Sequence, residues 1–77
     1  MTAQQIGPTI KALRKMRGMT QRELALAVGM SRTTITNIEA GRQGVSLEGT
    51  YKIAVALGYK LTLAFRLPGT ASIRRER

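Results

Sequence analysis

The sequence predicts a mainly α fold, a compact four-helix domain followed by one C-terminal β-strand. Three observations predict it. Apolar residues recur at spacings of three and four along four short stretches. Each stretch opens on a capping hydroxyl or a proline and closes on a glycine, the usual punctuation of a helix. Beyond Gly58 the apolar period drops to two, which is a strand signal.

Gly7-Pro8 suits a helix start, because proline's fixed φ and missing N–H do no harm in a first turn. Met1 to Gln5 is a polar lead that frays or extends this helix. Ile10, Leu13 and Met16 or Arg17 then give its apolar side, ending near Gly18. Thr20 and Glu23 form a T-x-x-E capping box for a second helix of about Gln21 to Val28, with Leu24, Ala25 and Val28 inward. Gly29 supplies the positive φ that ends it. Ser31 caps a third helix, about Arg32 to Ala40; Ile35 and Ile38 face inward and Arg32, Thr33, Thr36 and Asn37 share the opposite face. Gly41 stops it. Ser46 caps a fourth, about Leu47 to Leu57, with Glu48 near its positive end and Leu47, Thr50, Ala54, Leu57 and Ile53 as its inward stripe.

The next segment alternates. In the stretch of about 59–67, Leu61, Leu63, Phe65 and Leu67 fall on one face, and Lys60, Thr62, Ala64 and Arg66 on the other. A lone strand leaves its backbone groups unpaired. The simplest repair is a second copy pairing across a two-fold axis; a segment folded back on its own helices is the alternative. Pairing would bring Leu61, Leu63 and Phe65 over Tyr51 and Val55 of the fourth helix. The domain is thus expected over 1–67, with 68–77 a disordered basic tail.

Composition narrows the function. The 77 residues fit one small domain, and 13 Lys and Arg stand against four Glu and no Asp, a formal charge of +9. Such a surface meets polyanions, because neutralised phosphates release counterions. Without Cys or His, neither the usual metal sites nor a nucleophile–His pair can be assembled, so no enzyme, metal or cofactor is expected. No apolar run reaches the ~18–20 residues that span a bilayer, so no membrane partner is expected, and the missing Cys fits a reducing cytoplasm. The only aromatics, Tyr51, Tyr59 and Phe65, lie off the polar face of the third helix, which leaves an RNA-binding or nucleoid role without support.

Helices two and three, joined by a tight glycine turn, read as a helix-turn-helix, and their exposed polar row suits base edges. Ala25, Gly29, Ile35 and Ile38, within LRKMRGMTQRELA, ITNIEAGR and VSLEGTYKIAVALG, resemble the lambda-repressor-like helix-turn-helix family, also called the XRE family. The resemblance covers about residues 6 to 58. The added strand YKLTLAFRL is similar to that of HipB-type antitoxin repressors, whose C-terminal strands pair within a dimer; the basic tail has no aromatic anchor that would match a toxin contact.

The resemblance implies roles residue by residue. Helix three would enter the major groove, with Arg32, Thr33 and Asn37 reading bases: Arg donates twice to guanine, Asn pairs with adenine, and a Thr methyl meets thymine. Gln21, Ser31 and Arg42 would hold phosphates, with Thr36 placed between backbone and base. Lys11, Lys15, Arg17 and Arg22 would supply long-range charge. Arg14 of helix one would pair with Glu39 and fix the angle of the reading helix. The implied function is a sequence-specific double-stranded DNA-binding transcriptional regulator, a repressor acting as a homodimer on a palindromic operator in a prokaryotic cytoplasm. The alternative is an antitoxin that neutralises a toxin or kinase-like partner and regulates its own operon.

Overall fold

The computed structural model describes residues 3–62 and 64. It contains four helices: α1 (Ala3–Met16), α2 (Gln21–Val28), α3 (Arg32–Glu39) and α4 (Leu47–Ala56). Helix α3 packs on both α1 and α2, and α4 closes the other side of α2. Ile10, Leu24, Ala25, Val28, Ile35, Ile38, Ile53 and Leu57 form the buried core. Met19, Met30, Val45 and Tyr59 pack against its edges.

Every helix ends the same way. Gly18, Gly29, Gly41 and Gly58 all take left-handed φ values of 70–81°. After each, the next N–H returns to a carbonyl five residues back: Met19 to Arg14, Met30 to Ala25, Arg42 to Asn37 and Tyr59 to Ala54, at 2.8–3.1 Å. This hairpin-like stop satisfies the helix's orphan carbonyls and turns the chain sharply. The helix starts are equally local. The Thr20 hydroxyl accepts from Glu23 N–H at 3.0 Å while the Glu23 carboxylate accepts from Thr20 N–H at 2.8 Å. Ser31 and Ser46 cap α3 and α4 by accepting from Thr34 N–H and Gly49 N–H.

Three expectations need correction. The polar lead extends α1 back to Ala3, one of its two expected outcomes, so Gly7-Pro8 lies inside the helix rather than in its first turn. Ala3, Gln4 and Gln5 carry the extra turn, and proline's φ is compatible with a helix even though it cannot donate to Gln4. Met16 is 73% exposed, and the position turned inward at that end of α1 is Arg14. Leu47 is also exposed, at 59%, because α4 docks through Gly49, Ile53 and Leu57 instead.

Among the described residues there is no strand; Tyr59 to Thr62 and Ala64 carry no strand hydrogen bonding within this chain. The rest of the expected strand, including Leu63 and Phe65, and the expected tail at 68–77 lie outside the described residues.

Gly7 is not a helix-start residue but the crossing point of α1 and α3. A Cβ there would run into the Ile38 carbonyl oxygen and lie 3.0 Å from that of Glu39. Both obstacles are backbone and cannot swing aside, so the two helices must separate to admit a methyl group. Gly7→Ala should therefore destabilise the fold by about 1–3 kcal/mol, the cost of overpacking, despite alanine's better helix propensity. Urea unfolding of the two proteins measures it.

Candidate nucleic-acid interface

Helix α3 is placed by a polar network on its C-terminal half. Arg14 reaches from α1 and grips Glu39 with both arms: Nε donates to Oε2 at 2.6 Å and Nη2 to Oε1 at 2.9 Å. Its remaining terminal nitrogen donates to the Met19 carbonyl at 2.7 Å. Residues Arg14 and Glu39 are 6% and 5% exposed, so both charges are buried and matched. Gln21, the first residue of α2, extends the chain of contacts. Its Nε2 donates to Glu39 Oε1 at 3.1 Å, and its Oε1 accepts from the Thr36 hydroxyl at 2.9 Å. Three helices are thus tied to one carboxylate.

The electrostatics follow from this geometry. Burial opposes the charge on Glu39, but the hydrogen bonds from Arg14 and Gln21, with the nearby charges of Arg14 and Lys11, outweigh it. The carboxyl therefore titrates below its ordinary value of 4.5. For Arg14 the hydrogen bond to Glu39 dominates over burial, and its pKa is raised.

With its back pinned, α3 presents Arg32 and Thr33 exposed and Thr36 and Asn37 half-buried along one edge. Thr36 also shares its hydroxyl proton with the Arg32 carbonyl at 3.0 Å, so that side chain serves the protein's own backbone and α2. Ser31 donates to the Thr34 hydroxyl as well as capping α3. Beside this edge, Thr20, Gln21, Arg22 and Arg32 line an open depression at the start of α2, with Arg14 at its floor. The first turn of α2 and the side chains of Arg22 and Arg32 border it, a chemistry suited to a phosphate. Arg42 lies past the end of α3 and its Nε donates to Asn37 Oδ1 at 3.3 Å.

Sequence reasoning missed the structural use of Gln21 and the link between Arg42 and Asn37. The first has no signal in the spacing, since it depends on where three helices meet. The second was available in principle, because a left-handed glycine at position 41 folds the next residue back on the helix. Arg17, read as long-range charge, instead stacks over the Tyr59 ring at 4.9 Å and joins α1 to the exit of α4.

Away from this edge, Leu47, Tyr51 and Val55 form an exposed apolar stripe on α4, each more than half exposed, with Leu61 beside Leu47 and Tyr51. No helix among the described residues is long and apolar enough to cross a membrane.

Two capped helices at this tilt, joined through Gly29 with a polar outer edge, define a helix-turn-helix domain. The helix-turn-helix family model HTH_3 matches residues 10–63, and the chain belongs to that family. An uncharacterised HTH-type transcriptional regulator of Methanothermobacter thermautotrophicus is 49% identical over 49 residues, covering 64% of this chain and 71% of the relative. Antitoxin HipB of Escherichia coli is 36% identical over 59 residues, 77% of this chain and 63% of the relative. HipB in a HipA-HipB-O2-O3 complex superposes with a TM-score of 0.70 at 31% identity, over 84% of this chain and 92% of that one. The clp gene regulator ClgR from C. glutamicum gives a TM-score of 0.76 at 31% identity, over 79% and 78% of the two chains.

The buried pair makes a paired prediction. Arg14→Ala leaves Glu39 charged and without its counter-ion, and should cost about 3–5 kcal/mol, a large share of a small domain's stability. The pH dependence runs with the sign of a depressed carboxyl: the unfolded chain binds the proton more readily, so the stabilisation is complete above about 4.5 and is lost as pH falls through the lower folded value. Urea midpoints measured from pH 6 down to pH 2 should drop steeply for the parent and much less for Glu39→Gln.

Proposed function

We propose that the protein is a sequence-specific double-stranded DNA-binding transcriptional regulator, a repressor acting as a homodimer on a palindromic operator. The observation that carries this reading is the exposed edge Arg32–Thr33–Asn37 on a helix whose opposite side is locked by the Arg14–Glu39–Gln21 network. A reading head needs both properties, because base contacts discriminate only when their donors and acceptors are held in place. Arg32, Thr33 and Asn37 read bases. Phosphates are held by Gln21 at the start of α2 and by Arg42; the N-cap Ser31 and Thr36 of α3 join them only by releasing hydroxyl protons now given to Thr34 and to Gln21 and the Arg32 carbonyl. Occupancy of a promoter suffices for repression, and the work belongs in a prokaryotic cytoplasm where the chromosome lies.

The dimer rests on two supports. The stripe Leu47, Tyr51 and Val55 leaves an apolar face for cover, and Leu61 begins the alternating segment that continues through Leu63 and Phe65. A second copy supplies apolar cover and backbone partners together, which favours pairing of the segment at 59–67 between two chains.

A second reading is favoured by the likeness to antitoxin HipB. Under it, the same chain neutralises a partner toxin and uses DNA binding to regulate its own operon. Co-purification with the product of a neighbouring gene separates the two, since a plain repressor brings down DNA and its own second copy alone.

Selection from a random DNA pool should return a palindrome with half-sites about one helical turn apart, or a small multiple of ~10–10.5 base pairs. Arg32→Ala should relax preference at one base pair per half-site, costing about 1–3 kcal/mol there. A uniform loss over all sequences would reassign Arg32 to phosphate.

Truncation after Tyr59, which keeps the α4 stop and the Arg17 stacking, should leave the four helices folded yet shift the protein from dimer to monomer in sedimentation. Operator affinity should fall with it, because two weakly binding heads reinforce each other only while joined. A truncated chain that remained a tight dimer would place the interface on the helices alone.

A further inference from the structure

Asn37 and Arg42 are joined twice. The left-handed Gly41, at φ 75°, turns the chain so that Arg42 N–H donates to the Asn37 carbonyl at 2.9 Å, while Gly41 N–H donates to Ile38 at 3.0 Å. That turn also lays the Arg42 side chain back over the last turn of α3, where its Nε donates to the Asn37 side-chain oxygen at 3.3 Å. The main-chain bond fixes where Arg42 starts, and the side-chain bond is the consequence. Asn37 is half-buried on the reading edge and Arg42 is exposed.

An asparagine that reads adenine must offer its oxygen to N6–H and its nitrogen to N7. A free amide occupies either flip, and the wrong one sets donor against donor and acceptor against acceptor. A guanidinium has five N–H donors and no acceptor, so only the flip with Oδ1 toward Arg42 is satisfied. An amide oxygen carries two lone pairs: Arg42 takes one, and the other stays free for a base. The remaining guanidinium nitrogens stay free for the DNA backbone.

We propose that Arg42 is a positioning residue for base recognition, holding the Asn37 amide in one flip before DNA arrives and so linking a phosphate contact to base readout. This rests on the reading of Asn37 as a base reader. It gives Arg42 a second role that its place beyond the recognition helix does not suggest, since phosphate contacts alone carry no sequence information. Binding then costs less ordering of the side chain that discriminates, which is the general benefit of preorganisation.

The test uses the full chain and the operator selected above, with every base pair varied in turn. Asn37→Ala identifies the base pair that Asn37 reads, as the one where preference collapses. Arg42→Ala should lower affinity for all sequences and, in addition, reduce preference at that same base pair by about fivefold, the worth of one ordinary hydrogen bond. In an Asn37→Ala background the second effect should vanish while the uniform loss remains. Because Arg42 is exposed, a thermal melt matching the parent verifies that the fold is kept. Equal loss at every sequence with preference intact would overturn the proposal, as would the same loss of preference in the Asn37→Ala background. If Asn37→Ala alone relaxed no base pair, the base-reader reading itself would fail, an outcome visible before Arg42 is touched.

Discussion

The structure depends on one buried carboxylate. Glu39 stands at the end of α3, and burying a charge in so small a core is costly unless it is fully paired. Here Arg14 meets both oxygens and Gln21 adds a third hydrogen bond, while the Met19 carbonyl takes up the remaining arm of Arg14. The value of this arrangement is geometric more than energetic. A hydrophobic contact between α1 and α3 would tolerate sliding by a fraction of a turn; a two-pronged guanidinium–carboxylate pair does not. The bare backbone at Gly7, pressed against the carbonyls of Ile38 and Glu39, sets the distance at which that pair can close. Angle and separation are fixed by different residues of the same helix.

The same economy governs the other acidic residues that the structure describes. Glu23 completes the cap of α2, and Glu48 sits in the first turn of α4, 3.7 Å from Lys52. Each carboxylate serves a helix end or the interior, and the reading edge of α3 carries none. The basic excess is therefore not neutralised along this face, with Arg22 and Arg32 beside the start of α2 and Arg42 past the far end of α3, and the potential there attracts a polyanion over distances longer than any single contact. Self-repulsion among so many cations is the accompanying cost in stability, and it raises the importance of a network that holds α1, α2 and α3 together.

How far the fold was legible in the sequence follows from the range of the forces involved. Caps and stops are decided within six residues, so Thr20, Ser31, Ser46 and the glycines at 18, 29, 41 and 58 could be read directly. Errors arose where the deciding partner is distant in sequence. Leu47 fits the periodicity of an inward residue, but Gly49 allows α4 to approach Val45 and Met30 at a rotation that turns Leu47 outward. Gly7-Pro8 has the local signature of a helix start, and only the crossing of α3 shows why the glycine is needed inside the helix. Arg14 and Glu39 were paired through the resemblance, as their separation of 25 residues has no periodic signature. Of the candidate site, the exposed edge of α3 was legible because it is the complement of Ile35 and Ile38, and the fold-back of Arg42 was implicit in the stop at Gly41; the hydrogen bonds of Gln21, set where three helices meet, were not.

A recognition helix of eight residues can offer only a few side chains to a groove, which sets a demand on everything else. Few base contacts discriminate strongly only if each is held in its productive geometry, because a mobile side chain gives back its selectivity as ordering entropy. The chain answers with local restraints: Thr36 bonded to α2 and to its own helix, Asn37 to Arg42, Ser31 to Thr34. Restraint at one head still leaves the number of contacts small, and rigidity cannot replace surface. In the proposed dimer, further discrimination would come from a second head at a defined spacing, where affinities multiply. The exposed apolar stripe of α4 lies on the helix that packs against α2 rather than on the reading helix. It is thus open to cover without obstructing the exposed edge of α3, and under the proposed function the separation of these two surfaces would let one small chain read DNA through one and pair with a second copy through the other.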